Sequence, residues 1–94
     1  MGKPRLLLVD DIYCEAPLEG HITFLRNDDV PGMIGFVGRL FGDQDINIAN
    51  FSVGRRAAGG EAISVIATDH QVPEDVLAML LENTAVRTAQ SVRL

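Results

Sequence analysis

Ninety-four residues, 47% of them apolar, suffice for one small domain with a single core and leave no room for a dinucleotide-binding catalytic domain beside it. A net charge of −5 and a pI near 4.7 set the surface against a phosphate backbone, which disfavours nucleic acid as a partner. One cysteine, Cys14, excludes an internal disulfide and a cysteine-based zinc site, and without a membrane-length apolar run or a signal-peptide pattern the expected address is cytoplasmic.

Arg5 to Val9 is short and apolar, Asp10-Asp11 interrupts it, and Ile12 to Ala16 resumes, which predicts a strand or hairpin ending at Pro17. Cys14 has no base near it in the sequence and fits a small, partly buried side chain better than a nucleophile. Residues 1–19 are thus expected to form a strand or junction segment ahead of a domain over 20–94, folding back on its sheet or swapping to a partner.

His21 to Arg26 is the first regular strand, with Ile22 and Phe24 on one face and His21, Thr23 and Leu25 on the other. Asn27-Asp28-Asp29 follows as a short acidic loop. Pro31 marks a helix start, because proline's missing N–H has no partner in a first turn anyway, and it leaves nearby amides unpaired. Met33, Phe36, Val37, Leu40 and Phe41 recur at helical steps and define a buried face that Ile34 widens. Gly35, Gly38 and Gly42 line the opposite side beside Arg39, although each interior glycine costs roughly 0.5–1 kcal/mol against alanine. Either the core face alone carries that weakness, or a second helix or subunit packs closely there.

Gly42-Asp43-Gln44-Asp45 breaks the helix, and Ile46 to Arg55 forms a second strand. Arg55-Arg56 is the solvated tip of a hairpin whose turn is Ala57-Ala58-Gly59-Gly60, and Glu61 to Thr68 returns antiparallel. Pro73 opens a second helix with Glu74 and Asp75 in its first turn, Val76, Leu77, Leu80 and Leu81 on its apolar face, and Asn83 as its stop. Ala85 to Leu94 is the last strand. Two strand-helix-strand halves joined by a hairpin predict an α+β fold, a ferredoxin-like βαββαβ sandwich with an antiparallel sheet and both helices on one face. Ile63, Val65, Phe51 and Val53 exceed what one helical layer needs, and an edge strand leaves backbone groups unpaired, so self-association is expected.

The run D-V-P-G-M-I-G-F-V-G-R-L-F-G, followed by I-N-I-A-N, V-G-R and G-G-E-A, resembles the ACT domain family of small-molecule-binding regulatory modules. More narrowly, with the ending S-V-R-L, it is similar to the C-terminal regulatory domains of the D-3-phosphoglycerate dehydrogenase family, over about residues 20–94. The upstream G-K-P-R-L-x-x-V-D-D-I-Y segment resembles the strand leading into that domain. This resemblance implies a non-catalytic regulatory chain, either a piece of a longer NAD-dependent oxidoreductase of serine biosynthesis or a free-standing module. It implies pairing of modules edge to edge, as a homodimer or larger homo-oligomer, with L-serine bound at the seam for feedback control. No cofactor is implied in this chain itself, NAD belonging to the catalytic part. A related module of iron–sulfur L-serine dehydratase is the alternative parent.

A free amino acid carries a carboxylate beside an ammonium, so its site needs N–H donors and a nearby oxygen acceptor. The amides of Val30, Gly32, Met33 and Ile34 surround a helix N-terminus, where donors and dipole both favour an anion. Asp29 can accept from the ammonium, Asn27 can serve either group, and Asn47 is a third polar reach. Asp29 can equally cap the helix, and Asn47 can satisfy a backbone group near its turn. By resemblance, the family's serine-contacting side chains fall on Asn27, Asp29 and the Asn47 of a neighbouring subunit. The best-known serine-regulated members have histidine and asparagine at the two loop positions, so Asp29 adds a negative charge here. The interface is expected on Gly35, Gly38, Arg39 and Gly42 of the helix, with Ile48 and Phe51 of the next strand.

Catalysis fares poorly by comparison. Acylphosphatase shares the fold, but the acidic Asp28 and Asp29 would oppose a phosphoryl substrate. An RNA-recognition module would need a basic face and stacking aromatics that the third strand lacks. His21 and His70 stand alone, without the spacing that metal binding or acid–base work requires.

Overall fold

The computed structural model describes residues 4–9, 12–55 and 60–94 of the chain. Their elements are β1 (Pro4–Val9), β2 (Ile12–Pro17), β3 (His21–Asp28), α1 (Met33–Asp43), β4 (Ile48–Arg55), β5 (Glu61–Thr68), α2 (Glu74–Leu81) and β6 (Val86–Arg93). The Asp10-Asp11 interruption, Arg56 and the turn residues Ala57, Ala58 and Gly59 lie outside the described residues. Four strands form one sheet in the order β4-β5-β3-β6, each neighbouring pair antiparallel, which is the ferredoxin-like βαββαβ arrangement expected. Glu61 to Thr68 pairs with β4 as the sequence predicts. Among the described residues no helix is long and apolar enough to cross a membrane.

Alternation along the strands sorts their side chains onto two faces, and each face has its own core. On one, Leu25, Ile66 and Val86 of the sheet meet Met33, Val37 and Phe41 of α1 and Val76, Leu77 and Leu80 of α2. Both helices therefore cover the same face. Ile34 does not widen the buried face of α1: it is 62% exposed, in the first turn and on the flank opposite Phe36 and Leu40, outside the helix-side core. Leu81, at the last position of α2, is likewise exposed.

Several boundaries move for physical reasons. Pro31 lies before α1, not in its first turn, because Gly32 is the N-cap and holds a left-handed backbone (φ 88°, ψ −5°) that cannot continue a helix. Proline followed by such a glycine suits the two central positions of a tight turn. At the other end Gly42 stays inside the helix. The stop is Asp45, left-handed at φ 58°, after which the amides of Asp45 and Ile46 donate to the carbonyls of Gly42 (3.1 Å) and Phe41 (2.8 Å). That pair of bonds is the Schellman closure, and it keeps Ile46 out of the strand that was expected to include it.

The second face is covered by the chain itself on its β4 and β5 side, while Thr88 and Gln90 of β6 stay exposed. β1 and β2 form a separate antiparallel pair, and β2 turns Ile12, Cys14 and Ala16 onto Ile22, Ile63 and Val65 while Tyr13 stays exposed. The apolar surplus expected to drive self-association thus finds partners within the chain at Ile63 and Val65, and Phe51 packs against the helix-side core. β2 comes so close to β4 that a methyl group at Gly54 would fall on the Tyr13 carbonyl and the Cβ of Cys14. Only glycine fits that crossing.

Candidate functional site

β3 is longer than the sequence suggests, because Asn27 and Asp28 continue its ladder to Ala62 and Glu61 instead of entering a loop. Against β6 the register slips between Arg26 and Asn27, and the amide of Asp28 donates to the Ala85 carbonyl at 2.7 Å. Such an irregularity re-aims the strand end. Arg87, at the slip, donates from Nε to Asp28 Oδ1 at 2.9 Å. The chain then turns through Asp29, whose amide donates to the Gly60 carbonyl (2.7 Å), and through Val30, whose amide donates to the Asp28 carbonyl (3.0 Å).

Between this turn, the start of α1 and the neighbouring strands lies a cleft of about 220 Å³ lined by Asn27, Asp29, Val30, Pro31, Gly32, Met33, Ile34, Gly35, Val53 and Ser64. Every loop and helix-start position predicted from the sequence borders it. The amide of Val30 is taken up by its own chain, but those of Gly32, Met33 and Ile34 have no backbone acceptor among the described residues. Three donors thus stand at a helix N-terminus whose first turn carries no acidic side chain, with the Asp29 carboxylate beside them at the cleft.

At the floor, Asn27 and Ser64 are 2% and 1% exposed. Ser64 donates from Oγ to Asn27 Oδ1 at 2.9 Å, and Asn27 Nδ2 donates to the Asp28 carbonyl at 3.0 Å. At the mouth, Asp29 accepts from Arg55 Nη1 at 3.0 Å. The N-cap itself is Gly32, which has no side chain with which to cap.

Asn47 sits elsewhere. It follows the far end of α1, a helix about 16 Å long, and its Nδ2 donates to Asp69 Oδ2 at 2.7 Å on the exposed surface. One chain does not bring Asn47 to the cleft. Gly35, Gly38, Arg39 and Gly42 form an exposed stripe on α1, and a methyl at any of the three glycines would meet open space. Ile48 and Phe51 are half-buried against the helix-side core. Among the described residues no group of three His, Cys, Asp or Glu side chains could hold a metal ion.

Sequence reasoning missed Ser64 and Val53 as parts of this cleft, and Arg55 as the partner of Asp29. Ser64 carried a signal: it is the one polar residue in the apolar run Ala62 to Ala67, and a polar group in a buried strand must find a partner.

Residues 21–81 match the family model described as the ACT domain. The chain is similar to proteins named D-3-phosphoglycerate dehydrogenase: 40% identical over 86% of its length to that of Methanocaldococcus jannaschii, 41% over 81% to that of Bacillus subtilis, and 32% over 99% to that of a Synechocystis species. It spans only 16%, 14% and 17% of those proteins respectively. On the fold, the cleft at the start of α1 and these matches together, the chain belongs to the ACT domain family.

Proposed function

We propose that this chain is the regulatory module of a D-3-phosphoglycerate dehydrogenase and binds a free amino acid, L-serine, at a seam between two copies. The observation that supports the reading most is the set of amides at Gly32, Met33 and Ile34, which have no backbone acceptor among the described residues and border the cleft. A carboxylate fits there, since backbone donors and the helix dipole act on it together. The ammonium goes to Asp29, sharing or displacing the Arg55 guanidinium that now lies 3.0 Å from it. Asn47 completes the enclosure from the second copy, with the α1 stripe and β4 at the seam.

The mechanism is linkage. An effector that binds one arrangement of paired modules more tightly shifts the population toward it, by no more than its difference in affinity for the two. Oxidation of the substrate, with its nicotinamide cofactor, belongs to the catalytic part of such an enzyme; this chain supplies the sensor.

Calorimetric titration with the twenty amino acids tests the assignment. Serine should give saturable heat, and Asn47→Ala should weaken it at least about tenfold while leaving the melting temperature nearly unchanged, because an exposed hydrogen bond contributes little to stability. Heat with an acyl phosphate or RNA, and none with any amino acid, would refute the reading.

A further inference from the structure

The floor of the cleft is more specific than a generic amino acid site requires. The Asp28 carbonyl can only accept, so the Asn27 side-chain nitrogen faces it at 3.0 Å and the side-chain oxygen is turned toward Ser64. Ser64 must then commit its single hydroxyl proton to that oxygen, at 2.9 Å. What remains on Ser64 is lone pairs alone; what remains on Asn27 is one amide proton, beside the second lone pair of its oxygen. The two residues, almost fully buried and both lining the cleft, therefore present one acceptor and one donor side by side. An alcohol is the complement of that pair, since its oxygen accepts while its proton is donated. Around the floor the walls are apolar, from Val53, Met33 and Ile34, and offer an alcohol no competing partner.

We propose that Ser64 and Asn27 form a subsite that reads the side-chain hydroxyl of the bound amino acid, Asn27 donating to its oxygen and Ser64 accepting its proton. This rests on the cleft being an amino acid site, and it makes Ser64 the residue that separates hydroxy amino acids from alanine. The backbone amides and Asp29 would hold the common carboxylate and ammonium of either ligand.

The test is a pair of calorimetric titrations, L-serine and L-alanine, into the wild-type chain and into Ser64→Ala and Ser64→Thr. Two hydrogen bonds to a buried hydroxyl predict that the wild type prefers serine over alanine by about tenfold or more. Ser64→Ala should bring the two ligands within about twofold of each other, chiefly by weakening serine, and Ser64→Thr, which keeps the hydroxyl, should retain the preference. Equal weakening of both ligands by Ser64→Ala would mean that Ser64 only props the fold, and would overturn the proposal. A wild type that binds both ligands equally would overturn it without reference to any variant. A wild type that binds neither would instead remove the amino acid reading on which it rests.

Discussion

Asp45 holds a left-handed backbone at the end of α1, a position where most side chains meet the following carbonyl and where aspartate is tolerated better than most. Its carboxylate also stands beside carbonyls at the negative end of the helix dipole. Asp45→Gly relieves both effects and should stabilise the chain by about 0.5–1 kcal/mol. A urea midpoint that rises with an unchanged slope would bear this out, and a fall would contradict the closure assigned to Asp45 and Ile46. Cys14 is 2% exposed, and burial pushes its thiol above the ordinary value of 9.0. The folded state thus disfavours the thiolate that the unfolded chain forms freely. Its contribution is fully present below the ordinary thiol range and is lost as pH rises from there through the raised value of the folded state. Unfolding measured across that range should show an alkaline loss of stability that Cys14→Ala diminishes, and thiol reagents at neutral pH should label the native chain only as fast as it opens.

At the scale of elements, the packing of β2 across β4 depends on the missing side chain at Gly54. Gly54→Ala should cost about 1–3 kcal/mol by overpacking. It should also release β1 and β2 first, so that limited proteolysis within residues 4–17 precedes loss of the helices; cleavage elsewhere would show that the crossing is not held there. This strand pair was only partly legible in the sequence. The two short apolar runs, Arg5 to Val9 and Ile12 to Ala16, predict a strand or hairpin, but that Ile12, Cys14 and Ala16 form its buried side, and which surface they bury against, is a tertiary fact that no local pattern contains. β5 and the core of α1 were readable because alternation and helical spacing agree with burial along their length. Asn27 was misplaced into a loop because polar residues at a strand end look like a turn until the register with Ala62 is known. The cleft was legible where it depends on backbone amides near a proline and glycine. Ser64 and Val53 reach it only through the pairing of β4, β5 and β3, which sequence spacing does not display.

The whole molecule divides the proposed site between its two ends. The cleft opens at the start of α1, whereas Asn47 lies beyond that helix's C-terminus, and an open stripe of Gly35, Gly38 and Gly42 runs between. In the proposed pairing a two-fold axis brings each Asn47 to the other copy's cleft, because the contacts of such an interface are reciprocal. The most direct measurement is complementation. Asp29→Ala, which damages the cleft, and Asn47→Ala, which damages the reach, are each titrated with L-serine alone and then after mixing and re-equilibration. Each variant alone should bind at least about tenfold more weakly than wild type. The mixture should regain a fraction of sites with wild-type affinity, because a mixed pair joins one intact cleft to one intact Asn47. A mixture that binds no better than its components would contradict a site shared between two copies.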